Sequence, residues 1–250
     1  MVRGFSRRTN NGSERPIVVV GGVSGLNFLS TGIAQRVAES GFDAIVISPS
    51  FPADDLNAIR FPALGEGEFL QDVWRDVRKE YPVEPKMLLT GYSRGGQFAH
   101  RFALTFPDQI GAVAPLASGT WTTPDGRFLV EEIGEVRNPR TFLLNATNAS
   151  TIPARLKDLF EPRVARVVDS KATAGAQNVP FLVMCGTLDP RLPIAKEFVR
   201  SLEALGYQVA VEWPRTPHLC GGDEECRTEY QKYSRTAVAF FQKIVKARPR

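Results

Sequence analysis

Apolar positions along the chain follow two recurring patterns. The first is a short, unbroken run rich in β-branched residues. Such runs fall at residues 16–22 (PIVVVGG), 43–49 (DAIVISP), 87–89 (MLL), 110–116 (IGAVAPL), 180–186 (PFLVMCG) and 208–213 (QVAVEW). Unbroken runs of this length predict strands buried on both faces, as in a parallel sheet. The second pattern has helical period. It covers residues 28–40 (Ile33, Val37), 66–80 (Phe69, Val73, Trp74, Val77), 97–106, 194–205 and 224–245. Strands alternating with helices at this spacing predict βαβ units. The fold class is therefore α/β, with a mostly parallel central sheet of about six strands and helices on both faces.

One segment breaks the alternation. Residues 117–178 show no clear strand, only a turn at Pro124-Asp125-Gly126 and a short helical stretch around 153–160. An insertion of this length after the fourth strand is expected to act as a lid or pocket wall, or to cover the sheet edge as a surface excursion. No linker, repeat or low-complexity tract divides the rest. The organisation expected is a basic tail, 1–15, followed by a single domain, 16–250, long enough to bury a substantial core.

Composition narrows the class. Hydrophobic content of 43% with 23% charged residues is that of an ordinary globular protein. No apolar run reaches the roughly 18 residues of a membrane span. The basic amino end is separated from the first apolar run by polar residues 9–15, unlike a secretory leader. A cytoplasmic location is expected, or a secreted one if the chain is a mature form. The net charge of +4 does not mark a nucleic-acid binder. Arg3, Arg7 and Arg8 at one end, with Lys243, Lys246, Arg248 and Arg250 at the other, account for the whole excess. Neither residues 1–8 nor residues 243–250 contain an acid, so the chain between them is mildly acidic. Cys185 falls in an apolar strand and reads as an inert buried thiol. Cys220 and Cys226 bracket Gly-Gly-Asp-Glu-Glu, and either a small disulfide loop or two free thiols fits them. With two histidines and no Cys/His zinc spacing, no metal site is expected.

The candidate chemistry lies at Gly91-Tyr92-Ser93-Arg94-Gly95-Gly96, between the third strand and a helix. Strand, sharp turn and helix form the context in which Gly-x-Ser-x-Gly becomes a nucleophile elbow. Gly91 and Gly95 keep the flanks of Ser93 clear, and Gly96 lets the helix approach the sheet. A serine hydroxyl needs a base, and the base needs an acid to orient it. His100 lies two helical turns beyond Ser93 and reads as a packing residue. His218 lies in a loop after the sixth strand, at the carboxyl edge where parallel sheets carry their sites, and is the expected base. Asp189 closes Gly186-Thr-Leu-Asp189 after the fifth strand and is the expected acid. The backbone amides of Arg94 and Val23 are the candidate oxyanion donors. Tyr92, beside the nucleophile, and Trp121, in the insertion, are candidates for the substrate pocket.

The elbow, the Gly186-x-x-Asp189 turn and the late His218 resemble the α/β-hydrolase superfamily, from residue 16 nearly to the end of the chain. Within it they are most similar to bacterial serine esterases of the dienelactone-hydrolase and polyhydroxyalkanoate-depolymerase-like kind. The resemblance implies the α/β-hydrolase fold and a cofactor-free enzyme. It implies cleavage of a small-molecule or polymeric carboxylic ester through an acyl-enzyme, with Ser93, His218 and Asp189 as catalytic triad. Two departures stand out. Only fifteen residues precede the first core strand. The loop after that strand reads Gly21-Gly22 where many members carry His-Gly. Dienelactone hydrolases proper use a cysteine nucleophile, so Ser93 argues against that activity. A peptidase or amidase of the same fold, or a binding module, are the alternatives. Serine, acid and histidine in register favour the esterase.

Overall fold

The computed structural model describes residues 17–21, 32–49, 61–130, 134–136, 164–167, 170–218 and 224–247. Its centre is a parallel sheet of six strands. These are β1 (Ile17–Gly21), β2 (Ile45–Ile47), β3 (Met87–Tyr92), β4 (Ile110–Leu116), β8 (Phe181–Met184) and β9 (Val209–Glu212), in the order β2-β1-β3-β4-β8-β9. Each lies within one of the six apolar runs or extends it by a few residues. Three further strands, β5 (Thr120–Thr122), β6 (Phe128–Val130) and β7 (Gly134–Val136), form a separate antiparallel sheet.

The α-helices among the described residues are α1 (Ile33–Glu39), α2 (Glu66–Glu80), α3 (Arg94–Thr105), α4 (Leu192–Ala204) and α5 (Glu224–Lys246). The sheet divides them by the two-residue period of its strands. Leu88, Ala112, Ala114, Leu182 and Met184 point to one face and pack with Ile33 and Val37 of α1 and Tyr233, Ala237 and Phe241 of α5. Met87, Leu89, Val113, Phe181 and Val183 point to the other, against Leu70 and Trp74 of α2, Phe98 and Phe102 of α3 and Phe198 of α4. The result is a helix–sheet–helix sandwich, and α3 is buried along its length from Gly95 to Leu104.

Two details differ from the sequence expectation. Helical spacing puts Phe69 on the apolar stripe of α2, but it is 40% exposed, whereas Leu70, Trp74 and Val77 carry the buried face. Leu70 opens a cleaner i, i+4, i+7 stripe, and Phe69 lies one step around the helix from it. The insertion also contains the strands that were not expected. Each is three residues long, too short for alternation to show. The turn at Pro124–Gly126 is present, closed by a bond from the Gly126 amide to the Thr123 carbonyl (2.9 Å), and it joins β5 to β6. The helical stretch at 153–160 lies outside the described residues.

Register aligns the carboxyl ends of the central strands. Gly21 lies opposite Gly91, Tyr92 opposite Leu116, Leu116 opposite Met184, and Met184 opposite Glu212. The chain leaves β1 for β2 on one side and returns to β3 on the other. The crevice above β1 and β3 is therefore the point where strand order reverses, the place such sheets bind ligands.

Candidate active site

Ser93 follows the last residue of β3 and precedes the first of α3. Its backbone sits at φ 52°, ψ −108°, a conformation that side chains disfavour and that the surrounding structure must hold in place. Two bonds do so. The Ser93 amide donates to the Leu116 carbonyl at the end of β4 (2.9 Å), and the Ser93 carbonyl accepts from the Gln97 amide (3.0 Å). The turn also requires α3 to start tight against the sheet. A Cβ on Gly96 would lie 2.8 Å from the Leu116 carbonyl and 2.6 Å from the Ser118 hydroxyl, so glycine is needed there.

Ser93, His218 and Asp189, taken from three different loops, form one hydrogen-bonded chain. Ser93 Oγ is 3.1 Å from His218 Nε2. His218 Nδ1 is 2.8 Å from Asp189 Oδ2. The second carboxylate oxygen, Oδ1, accepts from the Arg191 amide at 3.0 Å and from its guanidinium at 3.3 Å. Asp189 is only 2% exposed. Burial by itself would raise its pKa, but the bond to His218, the Arg191 amide and the nearby positive charge outweigh that and hold it below the usual aspartate value. Both carboxylate oxygens are thus engaged, and an ionised Asp189 fixes the imidazole with Nδ1 protonated and Nε2 facing the serine.

The loops that carry Asp189 and His218 are laced together. The Thr187 amide donates to the Pro214 carbonyl (2.8 Å), and the Leu188 amide to the Thr216 carbonyl (3.2 Å). Thr216 Oγ1 shares a 2.9 Å bond with the hydroxyl of Tyr233 on α5, a group only 2% exposed. Where the loops cross, a Cβ on Gly186 would sit 1.8 Å from the Thr216 carbonyl oxygen. The glycine of Gly-x-x-Asp is therefore the crossing point of the two loops.

The other expected residues fall in different places. Tyr92 is at the site, but in contact with His218. Its hydroxyl donates to the His218 carbonyl, and its ring stacks on the imidazole with centroids 5.4 Å apart at 28°. Trp121, expected to line a pocket, is fully buried in the core. It stacks on Phe198 of α4 (4.5 Å, 23°) and lies 4.9 Å from the ring of His100. Arg94 opens α3, immediately after the serine. Val23 and Cys220 lie outside the described residues, and so does the side chain of Cys226.

His100 has a structural environment. Its Nδ1 donates to the Gly96 carbonyl (2.9 Å), and its Nε2 accepts from the Thr122 amide (3.0 Å), which ties α3 to β5. Full burial, with the Arg101 charge beside it, pushes its pKa well below the usual histidine value. Cys185 is buried behind Asp189, and burial together with the Asp189 charge pushes its thiol up to about 12. Such a thiol is inert. Sequence patterning gave no sign of Arg101, a buried cation that bonds Thr122 (2.8 Å) and Thr120 (2.9 Å) and lies over the rings of Phe61 and Phe128. No group of three or more His, Cys, Asp or Glu side chains suited to a metal occurs among the described residues. Nor is any helix among them long and apolar enough to cross a membrane.

A hydroxyl, an imidazole and a buried carboxylate in this order can take a proton from the serine as it attacks and return it to a leaving group. The chain has the α/β-hydrolase fold. It superposes on a ferulic acid esterase with TM-score 0.61 at 15% identity, covering 98% of each chain. The fluorophosphonate-binding serine hydrolase F of Staphylococcus aureus gives 0.57 at 16%, covering 94% of this chain and 86% of that one. An S-formylglutathione hydrolase from Agrobacterium tumefaciens gives 0.58 at 12%, covering 97% and 95%. In sequence, the chain is 27% identical over 94 residues to a probable esterase of Corynebacterium glutamicum. That match takes in 37% of this chain and 27% of the relative's length. No family model matches.

Proposed function

We propose that the protein is a serine hydrolase of carboxylic esters that works through an acyl-enzyme. The observation that carries this reading is the Ser93–His218–Asp189 hydrogen-bond chain, seated on a strained elbow where strand order reverses. The names of the relatives support the choice of an ester bond. The Corynebacterium protein is described as a probable esterase, and the structures include a ferulic acid esterase and a carboxylesterase of Bacillus cereus.

Ser93 Oγ attacks the ester carbonyl while His218 Nε2 takes its proton. Asp189 stabilises the imidazolium that forms. The tetrahedral oxyanion is held by the Arg94 amide, at the positive end of α3, and by the Val23 amide. Each such donor is typically worth about 2.7–4 kcal/mol of transition-state stabilisation. Collapse expels the alkoxide, which takes the proton from His218. Water then repeats the sequence on the acyl-enzyme and frees Ser93.

Hydrolysis of p-nitrophenyl esters from acetate to dodecanoate, on wild type and Ser93→Ala, tests this. Turnover by wild type and a loss of several orders of magnitude in the variant are expected. Undiminished turnover by Ser93→Ala would overturn the reading. Turnover of anilides in preference to esters would move the chain to the amidases.

A further inference from the structure

We propose that Tyr92 is a positioning residue for the catalytic histidine, holding His218 over Ser93 from the last residue of β3, next to Ser93 in the chain. The inference rests on the triad reading above and adds a part to it. It replaces the pocket role that adjacency to the nucleophile suggests.

The problem Tyr92 addresses is one of distance. Ser93 stands at the end of β3, whereas His218 follows β9, the edge strand three places away across β4 and β8. At the usual strand separation that is roughly 14 Å. The loop from Trp213 must cross this gap and then stop with its imidazole in register. The bonds at Pro214 and Thr216 fasten the loop to the turn before Asp189. Tyr92 fastens His218 itself, by two contacts of different kinds. Its hydroxyl donates to the His218 carbonyl, which fixes the backbone. Its ring stacks on the imidazole at 28°, which restricts the plane of the base. The tyrosine is in turn held by the core, packed against the cluster of β3, β4, β8 and α5. The nucleophile and the grip on its base are thus consecutive residues, and movement of β3 carries both together.

The ring contact also has a chemical consequence. Proton transfer from Ser93 makes His218 a cation, and an aromatic face attracts a cation more than a neutral ring. The stack therefore favours the transition state over the ground state, so its loss falls on kcat with KM little changed.

Two variants separate the parts. Tyr92→Phe removes the hydroxyl and keeps the stack; kcat is expected to fall about three- to tenfold, with KM within about twofold of wild type. Tyr92→Leu removes both and is expected to lose about a further tenfold in kcat. Burst titration with a fluorophosphonate normalises each rate to folded active sites. Ser93→Ala, run alongside, isolates the underlying reading: if it stays active, the triad assignment fails, and if it is dead, the Tyr92 variants report on Tyr92 alone. A raised KM at unchanged kcat would make Tyr92 a substrate contact and overturn the proposal. Wild-type kcat in both variants would overturn it as well.

Discussion

Gly186 has no room for a methyl group, and the reason lies thirty residues away in the Thr216 carbonyl. Gly186→Ala would have to separate the loops that carry Asp189 and His218. A stability loss of about 3 kcal/mol or more in urea unfolding is expected, along with loss of hydrolysis. An alanine variant of wild-type stability would show that the loops do not cross there. The two histidines differ just as sharply. His100 is buried and held neutral, with a pKa well below the usual histidine value of about 6.5. Its neutral state is matched by the unfolded chain only above that pH. As pH falls below it, the unfolded chain takes up a proton that the folded one refuses. Stability is then lost at up to about 1.4 kcal/mol per pH unit. Urea midpoints at pH 7.5, 6.5 and 5.5 should drop more steeply for wild type than for His100→Asn, and equal slopes would contradict the assignment. That Ser93, Asp189 and His218 would lie at one sheet edge was legible in the sequence because each follows the carboxyl end of an apolar strand run. The contact between Tyr92 and His218 was not, because it joins the end of β3 to a loop that follows β9, three strands away in the sheet and 126 residues on in the chain.

At the scale of elements, the central sheet was readable because strands buried on both faces leave unbroken apolar runs, whatever packs against them. Boundaries were less so. Helix α3 begins at Arg94 rather than Gln97, because Gly95 and Gly96 weaken the helical pattern in sequence, whereas in the fold both are helical and Gly96 lies tight against the sheet. The sheet formed by β5, β6 and β7 left no period to read, and the role of Trp121 went with it. That side chain docks β5 onto α3 and α4 through Phe198 and His100. Trp121→Ala should therefore cost about 3–5 kcal/mol of stability. Unchanged stability with a raised KM would return Trp121 to the pocket wall. Arg101 was invisible for a related reason: hydrophobic pattern cannot show a cation that is buried by stacking on Phe61 and Phe128.

For the whole molecule, topology brings the chemistry together. Aligned carboxyl ends and a reversal of strand order set the loops after β3, β8 and β9 over one crevice. The hydrogen-bond chain is assembled there from residues 93, 189 and 218, held in turn by the Leu116 carbonyl, the Arg191 amide and the Tyr92 hydroxyl. Asp189, held below its usual pKa, stays ionised through the neutral range. It adds stability above the unfolded aspartate value that is lost as pH falls through the folded one. The central claim is that this assembly makes Ser93 a nucleophile. Mass spectrometry after reaction with a fluorophosphonate tests it most directly. A single adduct that maps to Ser93, is absent in Ser93→Ala and forms orders of magnitude more slowly in His218→Ala is the expected result. An unlabelled but folded wild type, or an adduct at another residue, would contradict it.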